Sequence, residues 1–292
     1  MTSGKPSLPI TITPLFSGSS GNAILVTTED TRILVDAGMN CKKLVEALNM
    51  VRINPFDLSA ILITHDHSDH ISGLDVFTRK FSIPIYATRD TWSGIHRAEK
   101  KPHLPSLDNE VIPEENFSIG NFDILAFSTP HDTTGSCGYM FSTCSNRAAI
   151  ATDIGYMTPV IFEHLKGCDG ILLEANYDKD MLWNGEYPYY LKKRIDGNYG
   201  HLCNDDCAST VAELCKAGTK HFILGHLSKE NNLPQVAERT VIRALEAENL
   251  VRDRDYTIRI ANPMFRQNRS CWEDPYETSD RLCRKNQGKV AQ

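Results

Sequence analysis

The stretch Ile63-Thr64-His65-Asp66-His67-Ser68-Asp69-His70 concentrates side chains of the kind that bind metal ions. Only ten histidines occur in the 292 residues of the chain, and three of them lie here. The apolar run at residues 58–63 predicts a buried strand that leads into this stretch. Imidazole and carboxylate groups together suit Zn²⁺, Mn²⁺ or iron. A metal site just beyond a strand end is therefore expected, rather than a polar loop with chance histidines.

The spacing of the four ligand-type residues supports a shared site. His65 and His67 alternate, so in an extended chain both point to the same side. If a helix begins directly after them, Asp69 and His70 turn towards a neighbouring point. The local pattern thus predicts two adjacent groups of ligands.

This His-x-His-x-Asp-His string resembles the signature of the metallo-β-lactamase superfamily of hydrolases, and further segments match that family. They are Ser128-Thr129-Pro130-His131-Asp132, Ala151-Thr152-Asp153-Ile154-Gly155 and Leu224-Gly225-His226-Leu227-Ser228. Each lies at the end of an apolar run, as expected for a site built from strand ends. The resemblance implies an α/β fold, the αββα four-layer sandwich, with metals at one edge. Composition alone would not distinguish it from another α/β architecture.

The resemblance also implies a set of ligands for two divalent metal ions, Zn²⁺ or Mn²⁺. In that set one metal is held by three histidines, the second by an aspartate and two histidines, and a further aspartate bridges both. The corresponding residues are His65, His67 and His131 for the first metal, Asp69, His70 and His226 for the second, and Asp153 for the bridge.

Hydrophobic periodicity and turn residues predict strands that alternate with helices. The predicted strands are residues 10–16, 23–27, 31–35, 58–63, 84–87, 117–127, 139–143, 147–152, 170–174, 220–224 and 256–260. The predicted helices are residues 42–50, 73–80, 92–100, 159–166, 205–216 and 234–248. Residues 102–115 are predicted to be irregular.

The chain is expected to form one hydrolase domain at residues 1–262, because no Pro-rich linker or change of composition interrupts it. Residues 263–292 are polar and charged, so they are interpreted as a peripheral or mobile tail.

Composition limits the possible environments. The chain is 41% hydrophobic and 23% charged, which is typical of soluble globular proteins. No apolar run is long enough to span a bilayer, and residues 1–9 lack the zones of a signal peptide, so a cytoplasmic protein without membrane contact is expected. The nine cysteines are then best interpreted as free thiols. The net charge is −6, and the sequence shows no basic stripe of the kind that indicates a nucleic-acid binder.

Other motifs resemble the YycJ/WalJ branch of the superfamily, a group of nuclease-like proteins. The matching segments are Leu15-Phe16-Ser17-Gly18-Ser19-Ser20-Gly21-Asn22, Glu174-Ala175-Asn176, Gly200-His201-Leu202-Cys203-Asn204 and Gly225-His226-Leu227-Ser228-Lys229-Glu230-Asn231-Asn232. The interval between Asp153 and His226 is too short for an inserted domain of ordinary size. A nuclease with this sequence would have to be compact.

The resemblance implies catalytic roles for three residues. His201 matches the general acid that protonates a departing sugar oxygen, and Glu174 matches the residue that orients it and raises its pKa. Asp69 belongs to the catalytic set as well as to the ligand set. The alternative for His201 is that it caps or packs against the helix that begins near Asn204.

Weaker signals concern residues around the metals. Asp36 resembles a residue that supports the metal histidines from beneath, and a simple turn aspartate is the alternative. Ser19, Ser20 and Asn22 could cradle a phosphate, although a plain Gly-Ser turn fits the sequence equally well. Arg194 is a candidate phosphate contact, and a solvated helix face is the commoner meaning of its basic neighbourhood.

The residues and the resemblance together predict a dinuclear metal-dependent phosphodiesterase that uses a metal-activated hydroxide. The branch implies a 5′-to-3′ exonuclease with DNA or RNA as substrate. The enzymatic alternative is a small-molecule metallohydrolase of the thioesterase or lactonase type, which the acidic charge favours. A non-catalytic binding module is a third possibility, but it would have no need for a full ligand set.

Overall fold

The computed structural model describes residues 8–98 and 105–261, and within them the chain forms two mixed β-sheets. The strands of the first sheet, in their order across it, are β1 Thr11–Phe16, β2 Ala23–Thr27, β3 Arg32–Val35, β4 Ala60–Leu62, β5 Ile85–Thr88 and β6 Asp108–Val111. The strands of the second sheet follow the chain in the same way. They are β7 Asn116–Ile119, β8 Phe122–Ser128, β9 Cys137–Ser142, β10 Arg147–Ala151, β11 Gly170–Glu174, β12 His221–Gly225 and β13 Thr257–Ile260.

The two sheets share one plan, in which antiparallel strands come first and parallel strands follow. β1, β2 and β3 pair antiparallel, and β3 to β6 pair parallel. β7 to β10 pair antiparallel, and β10 to β13 pair parallel. Because loops at the carboxyl ends of neighbouring parallel strands meet at one edge, this plan brings distant segments of the chain together.

Helices connect the strands and cover the outer faces. They are α1 Cys41–Met50, α2 Ser68–Ile71, α3 Leu74–Phe81, α4 Arg89–Ala98, α5 Pro159–Leu165, α6 Lys179–Asn184, α7 Tyr189–Ile195, α8 Asn204–Lys216 and α9 Pro234–Ala247. Within the described residues, none of these helices is both long and apolar enough to cross a membrane.

Alternation along the strands divides the buried side chains between three layers of core. In β3, Ile33 and Val35 belong to the core between the two sheets, together with Phe141 and Ile150 of the second sheet. Leu34 belongs instead to the outer core under α1, α3 and α4. A corresponding outer core lies between the second sheet and α5, α8 and α9. The predicted four-layer αββα sandwich is therefore confirmed.

Some predicted elements differ from the observed ones. The segment 102–115 was predicted to be irregular, which is wrong for Asp108–Val111, the edge strand β6. The single strand predicted at 117–127 is wrong as well, because Gly120 adopts a left-handed conformation (φ 55°) and turns the chain between β7 and β8. Helices α6 and α7 were not predicted. The helix predicted at 92–100 begins earlier, at Arg89, and its last two residues lie outside the described part of the chain.

The predicted tail at 263–292 also lies outside the described residues. The division of the chain into a domain at 1–262 and a tail therefore stays a prediction.

Candidate metal centre

The predicted ligands come from different strand ends and meet at one edge of the sandwich. His65 and His67 follow β4, His131 follows β8, Asp153 follows β10 and His226 follows β12. Four sets of three or four ligand-type residues have ligand atoms within 4.8 Å of one another, and two of these sets reproduce the two predicted metal triads.

The first triad consists of His65, His67 and His131. The Nε2 atom of His65 lies 3.1 Å from Nδ1 of His67, and that atom lies 3.3 Å from Nε2 of His131. Nitrogen ligands about 2.0–2.1 Å from a tetrahedral Zn²⁺ are separated by about 3.3 Å, so this spacing fits a shared ion. The remaining ring nitrogen of His131, Nδ1, lies 3.1 Å from the carbonyl oxygen of Gly200, which leaves Nε2 free to bind a metal.

The second triad consists of Asp69, His70 and His226. Oδ2 of Asp69 lies 3.6 Å from Nε2 of His70 and 3.8 Å from Nε2 of His226. The Nδ1 atoms of both histidines contact carboxylates at 2.8 Å, Asp36 in the case of His70 and Glu174 in the case of His226. Both Nε2 atoms thus face Asp69, while the Nδ1 atom on the other side of each ring already has a carboxylate partner.

Asp153 lies between the two triads. Its Oδ2 is 3.5 Å from Nε2 of His70, and its Oδ1 is 3.7 Å from Nε2 of His131. Oδ2 of Asp153 and Nε2 of His226 are buried and have no hydrogen-bond partner among the described residues. Buried polar atoms without a partner are costly, and bound metal would satisfy both. The donor set therefore fits divalent metal ions.

Three residues of this centre have strained backbones. Asp36, Asp153 and His226 have left-handed φ angles of 63°, 58° and 54°. Each follows the last residue of a strand directly or nearly so, and the left-handed turn directs its side chain into the site. Such strain persists where the surroundings impose it, often at functional sites.

Asp36 supports both triads through Thr64. Its carboxylate accepts hydrogen bonds from the backbone N–H of Thr64 at 2.8 Å and from the Thr64 hydroxyl. The same hydroxyl lies 3.0 Å from Nδ1 of His65. Asp36 is 1% exposed and contacts His70 directly, and its role as a supporting residue stays a prediction.

Asp36→Asn is expected to weaken metal binding about 10- to 100-fold, the usual effect of losing the partner of a metal-bound imidazole. Asparagine tolerates the left-handed backbone of this position but carries no charge to polarise His70. Metal affinity measured by competition with a chelating dye tests this. Asp57→Asn, at an exposed position, is the matched control. Unchanged affinity in a folded Asp36→Asn protein would show that Asp36 has no such role.

The two triads differ in their protonation when no metal is bound. Burial and the neighbouring histidines hold the pKa of His65 well below its usual value, and burial also lowers the pKa of His131. Burial opposes charge on His70 too, but Asp36 and Asp153 outweigh it and raise its pKa to about 9. For His226, the carboxylates of Asp153, Asp69 and Glu174 outweigh burial and raise the pKa well above its usual value.

Metal binding at pH 7–8 is therefore expected to release about two protons, from His70 and His226, since a protonated imidazole cannot bind a metal. Because protons compete for these sites, affinity should rise with pH, by about 100-fold per pH unit for two displaced protons. Calorimetric titration in buffers of different ionisation enthalpy measures the number of protons. Release of none would contradict the protonated state assigned to His70 and His226.

Glu174 connects the second triad to His201. Its Oε1 lies 2.8 Å from Nδ1 of both His201 and His226, and its Oε2 accepts from the backbone N–H groups of Ile154 at 2.8 Å and Leu202 at 3.1 Å. Burial alone would raise the pKa of Glu174, but His201 and His226 hold it far below its usual value. The carboxylate is thus charged, fixed and shared between a predicted metal ligand and the predicted general acid.

His201 lies in the wall of an open cavity of about 370 Å³ beside the ligands. Because its Nδ1 contacts Glu174, its Nε2 remains available to a bound molecule. The N-cap of α8 is Cys203, whose sulfur accepts from the backbone N–H of Asp206. His201 is therefore not the N-cap of α8, and its role as general acid stays a prediction.

The predicted phosphate-binding residues are placed differently from one another. Ser19 is exposed and lines the cavity, and Ser20 is exposed in the same loop. Asn22 is buried, and its amide nitrogen lies 3.0 Å from Nε2 of His70. This placement differs from the exposed phosphate contact that the sequence predicts. The Oδ1 atom of Asn22 accepts from the backbone N–H of Gly18 at 2.9 Å, and a substrate-binding role for Asn22 stays a prediction. Arg194 lines the cavity and pairs with Asp132.

Three residues at the site were not predicted from the sequence. Asp132 lies 3.4 Å from Nε2 of His67 and 3.5 Å from Nε2 of His131, and its position directly after His131 was the available signal. The Ser17 hydroxyl accepts from the backbone N–H of His226 at 2.8 Å. Asn176 donates to the carbonyl oxygen of His226 at 2.8 Å. The last two contacts join segments far apart in the chain, and the signal for both residues was their place in segments that resemble the YycJ/WalJ branch.

Comparison with known proteins agrees with this geometry. Residues 17–188 match the family model described as the metallo-beta-lactamase superfamily. The chain belongs to this superfamily. The resemblance of the histidine string is thereby confirmed, and the protein is a metal-dependent hydrolase of the α/β class. The individual ligand and catalytic assignments stay predictions.

Relatives in the same superfamily cover most of the chain. The protein is 36% identical to Exodeoxyribonuclease YycJ of Bacillus anthracis, over 80% of this chain and 88% of the relative. It is 35% identical to Exodeoxyribonuclease WalJ of Streptococcus pneumoniae, over 85% of this chain and 93% of the relative. The structure of the metallo-beta-lactamase fold protein YhfI from Bacillus subtilis superposes with a TM-score of 0.65 at 16% identity, covering 88% of this chain and 98% of that one. The resemblance to the YycJ/WalJ branch is also confirmed.

Proposed function

We propose that the protein is a dinuclear metal-dependent phosphodiesterase, a 5′-to-3′ exonuclease that acts on DNA or RNA. The observation that carries the proposal is the contact of Glu174 with both His201 and His226 at 2.8 Å. This contact fixes a proton donor beside the metal ligands. The similarity of the whole chain to two exodeoxyribonucleases supports the nucleic-acid substrate.

The two triads would hold two divalent ions, Zn²⁺ or Mn²⁺, with Asp153 between them and Asp69 in contact with the reacting groups. When bound, such ions neutralise charge on a phosphoryl group and lower the pKa of water. Three arrangements of the chain prepare this chemistry. Asp36 holds His70, Glu174 holds His226, and the Gly200 carbonyl holds His131.

His201 supplies the proton that the leaving group requires. A departing sugar oxygen is strongly basic, so cleavage of the P–O bond is faster when a donor protonates that oxygen. Nε2 of His201 is the donor, since Nδ1 is bound to Glu174. A thiolate leaves without this help, because thiols are far more acidic than alcohols. The His201–Glu174 pair therefore favours a phosphodiester over a thioester.

A small-molecule metallohydrolase of the thioesterase or lactonase type is the second candidate. The net charge of −6 favours this candidate, because the acidic surface outside the site repels a nucleic-acid strand. The cavity of about 370 Å³ is also large enough for a small ester. Bound divalent ions would offset the negative charge where a phosphate approaches.

We further propose a cytoplasmic location, with which the similarity to bacterial exodeoxyribonucleases is compatible. The proposed organisation is one hydrolase domain at 1–262 with a peripheral tail at 263–292.

The test is incubation of metal-loaded protein with DNA and RNA strands labelled at the 5′ or the 3′ end, and with thioester and lactone substrates. Release of mononucleotides from the 5′ end is the expected result. A protein that leaves strands of every end structure intact, yet hydrolyses the thioester or lactone, would overturn the proposal in favour of the second candidate.

A further inference from the structure

We propose that the surface formed by α6, α7 and the loop after α7 binds a single strand of nucleic acid and leads its end into the cavity. This inference rests on the proposed nuclease function and names the form of its substrate. The surface is called the aromatic face and is defined by Trp183, Tyr189, Tyr190 and Tyr199.

The aromatic face is unusually exposed. The exposed fractions of Trp183, Tyr189, Tyr190 and Tyr199 are 36%, 68%, 75% and 64%. Among the described residues six aromatic side chains are exposed, and these four lie between Trp183 and Tyr199. Tyrosine and tryptophan that contribute nothing to a core are characteristic of binding surfaces.

The tyrosine rings are not needed to hold this segment together, whereas the indole of Trp183 takes part in its polar contacts. Helix α7 buries none of its residues. It is fastened to α6 by Lys192, whose ammonium donates to the carbonyl oxygens of Trp183 at 2.9 Å and Gly185 at 2.7 Å. Asp196 accepts from Nε1 of Trp183 at 3.1 Å and from the hydroxyl of Tyr177. Polar contacts thus form a fixed frame, and Trp183 and Tyr189 lie on it with ring centroids 6.0 Å apart.

The charges on the face match a phosphodiester backbone. Nζ of Lys193 lies 5.9 Å from the ring centroids of both Trp183 and Tyr189. Arg194 follows in the same helix and lines the cavity, where it pairs with Asp132. The rings offer stacking surfaces for bases, and the cations beside them offer countercharges for phosphates. This group of cations stands out in a chain whose net charge is −6. Bases in a duplex stack on each other, so only an unpaired strand can use the rings.

The face is continuous with the cavity. Tyr187, Leu191 and Ile195 come from the same segment as the exposed rings and line the cavity beside His201. A strand that stacks on Tyr189 therefore has its end within reach of the predicted metal ligands. A second copy of the chain fits this surface less well, because protein–protein interfaces are depleted in lysine, and Lys192 and Lys193 lie in this segment.

The test compares wild-type protein with Trp183→Ala/Tyr189→Ala and, as a second variant, Tyr189→Ala/Tyr190→Ala. Metal-loaded protein is titrated with two fluorescein-labelled, phosphorothioate-linked strands of equal length, one of deoxythymidine and one of abasic residues. Each variant should bind the thymidine strand about 10- to 100-fold more weakly, because each stacked base contributes substantially. Binding of the abasic strand and turnover of a small aryl phosphodiester should not change. Trp183→Phe/Tyr189→Phe should restore most of the affinity.

Equal binding of the thymidine strand by wild type and both alanine variants would overturn the proposal. It would also be overturned if the variants changed only the oligomeric state measured by light scattering, because the face would then join two copies. Failure of the proposed function gives a different result, namely wild-type protein that cleaves no strand at all. If the wild type cleaves strands and the variants bind the thymidine strand as the wild type does, only the proposed role of the aromatic face is overturned.

Discussion

Asp153→Asn is expected to lower the phosphodiesterase activity about 10³-fold. The variant should also hold fewer than two metal ions per chain. The metals supply several kcal/mol of transition-state stabilisation, and each 1.36 kcal/mol corresponds to about tenfold in rate. Asp153 lies within 3.5–3.7 Å of ligand atoms from both triads, so it is placed to contact both ions. An amide carries no charge and is a poor bridge. Asparagine also tolerates the left-handed backbone at this position, φ 58°, which alanine does not.

Metal content by mass spectrometry and turnover should be measured on the same preparation of Asp153→Asn. A thermal unfolding curve identifies any loss of fold. Asp123→Asn, at an exposed position of β8, is the matched control and should keep both the metals and the activity. An active Asp153→Asn protein with two bound ions would show that Asp153 is not needed to bridge the ions.

His201→Ala is expected to keep its metals and to slow turnover of nucleic-acid substrates by about 10²- to 10⁴-fold, the range typical of losing a general acid. The side chain contacts Glu174 but belongs to neither metal triad. An activated aryl phosphodiester has a leaving group that needs little protonation. Its hydrolysis should therefore be much less affected. The alkaline side of the pH–rate profile for nucleic acid should change, because a general acid acts only while it is protonated.

His164→Ala is the matched control for His201→Ala, because Nε2 of His164 also lies 2.9 Å from a glutamate, Glu114, but on the protein surface. It should leave both substrates unaffected. Equal losses on nucleic acid and on the aryl phosphodiester in His201→Ala would indicate a structural role for His201.

Much of the fold follows from local patterns in the sequence. Strands such as β11 and β12 are short apolar runs, and α8 and α9 have apolar stripes that lie on the second sheet. Helices α6 and α7 could not be found in this way, because α7 buries none of its residues and α6 buries only Leu182. These helices face only a small buried cluster around Leu182, so they have no extended hydrophobic stripe.

The remaining errors have similar causes. Strand β6 has the sequence Asp108-Asn109-Glu110-Val111, and only Val111 is buried, so it carries almost no alternation. It forms because β5 offers a free edge to pair with. The turn at Gly120-Asn121 inside the predicted strand 117–127 had a local signal, since Gly-Asn pairs favour tight turns.

The candidate site shows the same division. Ligands that follow strands could be proposed from the sequence and the family resemblance. The supports beneath them depend on contacts between distant segments, such as Ser17 with His226 and Asn176 with His226. The second contact of Glu174, with His226, belongs to the same group. No spacing in the chain encodes these pairs, because they form only when the two sheets pack together.

The central claim is that two metal ions act together at one site, and titration of metal-free protein with Mn²⁺ or Zn²⁺ tests it most directly. Bound metal and phosphodiesterase activity on a labelled strand are measured at every step. Activity should stay low while the first equivalent binds and rise as the second fills the triad of Asp69, His70 and His226. Full activity with one ion per chain, and no gain from a second, would contradict the dinuclear account.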